Sequence, residues 1–149
     1  MTILVKTVHG DYGSIYQAAV AIRKEVFIQE QGVAPELELD HESQATYFVI
    51  YVDDQAAATA RVMVEKDGAW HLQRVATRKA YRGRGLASKL IMKIEALAMQ
   101  KQVPYLTLGA QDHAQTFYQQ LGFKVVGAGF LDAGIAHHQM QKKLISKTH

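Results

Sequence analysis

Between a β-rich stretch that ends at Thr77 and an apolar-striped stretch that begins at Leu86, the chain carries Arg82-Gly83-Arg84-Gly85-Leu86-Ala87-Ser88. No other feature constrains the fold as tightly. Leu86, Leu90, Ile94, Leu97 and Ala98 share one helical face, which predicts a helix over about Gly85–Gln100 with a single buried stripe. The first backbone N–H groups of such a helix have no partner inside it, and the helix dipole adds partial positive charge where they point. Gly83 and Gly85 omit the Cβ atoms that would hold a phosphate at a distance. Arg82 and Arg84 add full charges. Strand, glycine turn and helix together make an anion cradle. Neither of two other phosphate loops fits: no G-x-x-x-x-G-K-S/T string occurs, and Gly83-x-Gly85 lacks the third glycine of a dinucleotide fingerprint.

The flanking sequence predicts the rest. Ile3–Val8 reads as a strand. Ser14 and Gln17 have capping-box spacing, and Ile15, Ala18, Ala19, Ile22 and Val26 carry a helix to about Gln31. Gly32–Gln44 is a loop that collects Glu36, Glu38, Asp40 and Glu42. Strands over Thr46–Val52, Ala57–Glu65 and Trp70–Thr77 read as an antiparallel meander. After the central helix come a strand over Tyr105–Leu108, a short helix over Ala114–Leu121 with Gly122 at its C′ position, and strands over Phe123–Gly127 and Ala136–Leu144. The order β-α-β-β-β-α-β-α-β-β is that of a mixed α/β (α+β) domain. No repeat, low-complexity tract or linker divides it, so residues 1–149 are expected to form a single domain.

Composition narrows the function. The 149 residues suffice for a sizeable core, and 48% hydrophobic with 21% charged residues is a globular balance. No apolar run reaches the length of a membrane span, and the N-terminus reads as a strand, not a signal peptide. A cytoplasmic protein is expected. With no cysteine there is no disulfide and no thiolate nucleophile. The net charge of +3 is modest, but Arg78, Lys79, Arg82 and Arg84 crowd one short loop. That concentration suits a compact phosphorylated cofactor better than nucleic acid. The histidines show no metal-ligand spacing beyond the adjacent pair His137-His138, so no metal is expected.

Arg82 to Ala87 resembles the pyrophosphate motif Q/R-x-x-G-x-G/A of the GNAT superfamily of acyl-CoA-dependent N-acyltransferases. Phe117-Tyr118-Gln119-Gln120-Leu121-Gly122-Phe123 resembles its second hallmark, a helix ending in F-Y-x-x-x-G-F. Arg74-Val75-Ala76-Thr77 looks like the family's central strand. Val26-Phe27-Ile28-Gln29-Glu30-Gln31-Gly32-Val33 and Asp132-Ala133-Gly134-Ile135-Ala136-His137 are similar to segments of an ElaA/YjcF-like branch, with Ala136 in place of the usual proline.

The resemblance implies a mainly antiparallel sheet flanked by helices, acetyl-CoA as cosubstrate and direct transfer of acetyl to an amine. It implies that the backbone of Arg82, Gly83, Arg84, Gly85, Leu86, Ala87 and Ser88 holds the pyrophosphate. Val75 and Thr77 would pair with the pantetheine like an added strand, with an N–H near Val75 facing the oxyanion. Arg78 or Lys79 would meet the adenosine phosphate. Tyr118 would be the acid for the departing thiolate. The family's strand carboxylate is missing from Trp70–Thr77, which leaves Glu30, His137, His71 or a water as the base. His137 and His138 alternate across the sheet, so at most one faces the cleft. The acidic loop and Glu30 point to a cationic acceptor, either a small amine or an amine of a protein. A homodimer is compatible with the family. The competing reading is a CoA-binding module without catalysis, motivated by the missing carboxylate.

Overall fold

The computed structural model describes residues 1–32, 42–132 and 134–144. The acidic positions Glu36, Glu38 and Asp40, together with Val33 and Ala133, lie outside the described residues. Seven strands follow the order β1-β2-β3-β4-β5-β7-β6 in a mixed sheet: β1 Ile3–His9, β2 Thr46–Val52, β3 Gln55–Val64, β4 Trp70–Thr77, β5 Tyr105–Gln111, β6 Lys124–Asp132 and β7 Ile135–Lys143. The helices are α1 Gly13–Arg23, α2 Leu86–Gln100 and α3 Gln115–Gln120. The chain divides into two compact units, Met1–Met63 with Arg74–Ile94, and Val64–Gln73 with Glu95–His149. Strand β4 and helix α2 contribute to both.

In the first unit β2 lies between β1 and β3, antiparallel to each. A strand buried on both faces needs a continuous apolar run, and Tyr47, Phe48, Val49 and Ile50 supply it. Ala19, Ile22 and Val26 of the N-terminal helical segment pack with Tyr47, Val49 and Ala76 into one core cluster. The capping box does not form. Helix α1 begins at Gly13, which places Ser14 inside it, and no side chain caps its start. Beyond Arg23 the coil widens, and Lys24–Glu30 is π-helical, with the Gln31 N–H reaching back five residues to the Val26 carbonyl at 3.2 Å. Such wide turns are rare and recur at functional sites. Here the i→i+5 spacing brings Glu25 and Glu30 onto arginines of the cationic loop.

The same unit buries an ion cluster. Arg23 and Arg61 are 0% and 1% exposed. Glu42 accepts from Arg23 Nη1 at 3.0 Å and Nη2 at 2.9 Å, from Arg61 Nη1 at 2.5 Å and from the Tyr16 hydroxyl at 3.1 Å. The Tyr47 hydroxyl donates to the Glu42 carbonyl. Burial alone would raise the Glu42 carboxyl, but the two guanidinium groups and Tyr16 hold it below the usual range. Glu42 is therefore neither a solvated loop charge nor free to draw in an amine.

In the second unit the first residues of β4 run parallel to β5, Trp70 to Leu72 facing Leu106 to Leu108, and a parallel pair requires a crossover. The cationic loop and α2 supply that connection. Strand β7 then lies between β5 and β6, antiparallel to both. Gly127, which read as the end of a strand, instead sits with Gly129 in an irregularity between Val126 and Phe130, and β6 continues to Asp132. Helix α3 ends as expected. Gly122 has φ +97, and the N–H groups of Gly122 and Phe123 bond to the carbonyls of Gln119 and Tyr118 at 3.0 and 3.1 Å, a Schellman closure. A Cβ on Gly122 would stand 2.9 Å from Lys142 Cε, and Lys142 Nζ bonds the Leu121 carbonyl at 2.7 Å. Gly122→Ala is expected to cost about 1–3 kcal/mol through the left-handed backbone and that clash. A chemical-denaturation midpoint lower at unchanged slope would check it.

Candidate active site

The glycine turn expected before the central helix forms at Gly83 and Gly85, and α2 starts at Leu86. Gly83 and Gly85 adopt φ +80 and +71, and no atom of the described residues lies within 4 Å of where a Cβ would stand on either. The Lys89 N–H bonds the Gly85 carbonyl at 3.1 Å, so the N–H groups of Leu86, Ala87 and Ser88 precede the helix's own acceptors. Around them, Arg84 lies over the Tyr81 ring at 5.3 Å. Arg82 donates through Nε to the Thr77 carbonyl at 3.0 Å and through Nη2 to Glu30 at 2.7 Å. Arg78 reaches Glu25 at 3.3 Å and the Ala56 carbonyl at 3.2 Å. The loop's charge is thus partly balanced by the π-helical turn.

Val75 and Thr77 lie on β4 directly after a residue the sequence does not flag. Arg74 has φ +53, a conformation a non-glycine residue rarely holds inside a strand and one that marks stored strain. No glycine or asparagine announces it.

Tyr118 sits on α3 with its ring edge-on to Phe117 and Phe123, centroids 4.9 and 5.9 Å away. Phe123 is buried, while Phe117 and Leu121, read as core, are half-buried. Burial raises the Tyr118 phenol to about 12, and no partner meets its hydroxyl among the described residues.

Two other candidates have defined roles in the local geometry. Glu30 is the ion-pair partner of Arg82. His137 is 8% exposed. Its Nδ1 lies 2.7 Å from the Ile135 carbonyl, and its ring stacks on Phe130 at 5.6 Å. On the neighbouring residue, His138 Nδ1 lies 2.8 Å from Asp112 Oδ1, a pairing the sequence does not indicate. These groups line a hollow of about 220 Å³ in the second unit with Gly129, Phe130 and Leu131. Both histidines border that hollow. No cluster fit to hold a metal occurs among the described residues, and none of their helices is long and apolar enough to cross a membrane.

A mixed sheet with a strand–glycine turn–helix crossover, followed by a tyrosine-bearing helix, defines an acyltransferase architecture, and comparison with known proteins agrees. Residues 14–144 match the family model for the acetyltransferase (GNAT) domain, and the chain belongs to that family. It is 34% identical over 126 residues to the uncharacterized N-acetyltransferase YjcF of Bacillus subtilis (strain 168), covering 83% of this chain and 89% of that protein. Among solved structures, a candidate N-acetyltransferase from Lactobacillus plantarum superposes with a TM-score of 0.87 at 30% identity, over 95% of this chain and 99% of the other. Escherichia coli ElaA superposes with a TM-score of 0.80 at 27% identity, over 95% and 100%. The protein is therefore an enzyme of the acyltransferase class.

Proposed function

We propose that the protein transfers an acetyl group from acetyl-CoA directly to a primary amine. The observation that carries this reading is the turn at Gly83 and Gly85 in front of α2, where no described residue lies within 4 Å of either glycine's Cβ position, leaving room for a pyrophosphate. Coenzyme A supplies the acyl group as an activated thioester. Leu86, Ala87 and Ser88 hold its pyrophosphate through backbone N–H groups, with Arg82, Gly83, Arg84 and Gly85 shaping the turn. The backbone of Val75 and Thr77 aligns the pantetheine arm. Tyr118, kept protonated by burial, donates to the sulfur as the C–S bond breaks. No residue need be acylated, and no cysteine exists to be.

Thermal unfolding with acetyl-CoA, CoA and ATP tests the cofactor. A ligand at 100 times its Kd adds about 2.7 kcal/mol, so acetyl-CoA and CoA should raise Tm while ATP should not. Gly85→Val places a side chain in the cradle and should weaken CoA binding about 10- to 100-fold, the worth of one charge-assisted phosphate hydrogen bond. The absence of any shift with millimolar CoA would end the proposal.

A further inference from the structure

Strand β6 is the last in the sheet order, so β7 takes one of its edges and no strand among the described residues takes the other. Every residue of β6 except Val126 is exposed. Three of them are large and apolar: Val125, Phe130 and Leu131 are 38%, 43% and 73% exposed. An edge strand of this length and composition is a template for another strand. We propose that its partner is a second copy of itself, with β6 of two molecules pairing antiparallel about Ala128. The proposal is independent of the acyl-transfer reading.

The residues of β6 are self-complementary in that register. The strand runs Lys124-Val125-Val126-Gly127-Ala128-Gly129-Phe130-Leu131-Asp132, with a cation at one end and an anion at the other. Laid antiparallel on itself about Ala128, it sets Lys124 opposite Asp132, Val125 opposite Leu131, Val126 opposite Phe130 and Gly127 opposite Gly129. Directly opposed residues of an antiparallel pair share a face and interact. Opposite charges therefore meet at both ends, and large apolar side chains meet in each arm. Only glycine and alanine meet at the centre, where the backbones approach most closely. Within the chain, neither Lys124 nor Asp132 has an ion-pair partner among the described residues. A parallel copy would instead set Lys124 beside Lys124 and Asp132 beside Asp132.

The irregularity of β6 selects the same occupant. Gly127, Ala128 and Gly129 together stand against the single His138 of β7. An ordinary strand laid on the free edge would lose register there, which is how bulges protect sheet edges. A second β6 brings the same three residues to the same place, so the register holds on both sides. The two-fold relation uses each β6 edge once, and the assembly closes at two copies.

Sedimentation equilibrium of the full chain over a dilution series tests the pairing, and a monomer–dimer equilibrium is expected. Lys124→Asp sets carboxylates against each other at both ends, and Asp132→Lys does the same with ammonium groups. Each variant alone should weaken the dimer about tenfold or more. Mixing the two variants restores opposite charges at both ends of the mixed pair and should recover the dimer, which a merely structural role of either residue would not do. Ala128→Cys reads the register without altering charge. The chain has no cysteine of its own, so mild oxidation should join two copies through thiols that face each other at the two-fold axis. Ala96→Cys, exposed on α2, should not cross-link. A chain that is monomeric at about 100 μM, the upper end of specific association, would overturn the proposal. So would a dimer that both charge variants leave intact, or cross-linking at Ala96 equal to that at Ala128.

Discussion

Replacing Tyr118 by Phe is expected to lower kcat about a hundredfold or more, the lower end of what a positioned general acid contributes, while the Kd for CoA stays unchanged. Only one oxygen is removed. The ring keeps its edge-on contacts with Phe117 and Phe123, and the closure of α3 depends on the backbone carbonyl of Tyr118, not its side chain. A loss of rate is therefore a loss of the hydroxyl. Its high pKa, about 12, sets the form of the assistance: the phenol stays protonated and stabilises developing negative charge on sulfur through a hydrogen bond. The direction also fixes a pH signature. A phenol raised above its ordinary value of about 10 keeps its proton as pH passes through 10, so the wild-type rate should show no decline centred there. Kinetics at saturating acetyl-CoA would show both effects. Equal turnover in the Phe variant would remove Tyr118 from the chemistry.

Much of the chain was legible because the decisive signals are local. Of the stripe Leu86, Leu90, Ile94, Leu97 and Ala98, all but the half-buried Leu97 are buried, and Gly122 takes the left-handed conformation that ends α3. The turn before α2 could be read because two glycines before a helix carry their meaning in sequence. Other features could not be read this way. Arg74 adopts φ +53 with a side chain that ordinarily disfavours it, so only tertiary context selects that geometry. The strand read as ending at Gly127 continues past it to Asp132, because β7 pairs with β6 on both sides of the irregularity. Asp112 and His138 stand 26 positions apart, and no spacing rule joins them. Ser14 offered a capping box, but a start at Gly13 moved it one residue too far into the helix.

Glu42 shows most clearly how a charge can be misread, and its removal carries the largest expected cost in stability. In sequence it is the last of four acids in a loop. In the fold it is 19 residues from each of Arg23 and Arg61 and bonded to both. Glu42→Ala would leave two guanidinium groups, essentially without solvent, short of the carboxylate they share. Breaking a buried ion pair from one side costs about 3–5 kcal/mol, equivalent to a Tm lower by about 6–20 °C for a chain of this size. Glu42→Gln separates charge from shape, because it keeps an acceptor oxygen but sets an amide against a guanidinium. It should recover only part of the loss. The pH dependence follows from the depressed carboxyl. Its stabilisation is complete above the unfolded value, about 4.3, and disappears as pH falls through the lower folded value. Wild type should therefore lose stability steeply below about pH 4, and the Gln variant should lose less over the same interval. Denaturation midpoints measured from neutral pH downward would compare the two. Parallel curves would mean that Glu42 does not titrate as a buried partner of Arg23 and Arg61.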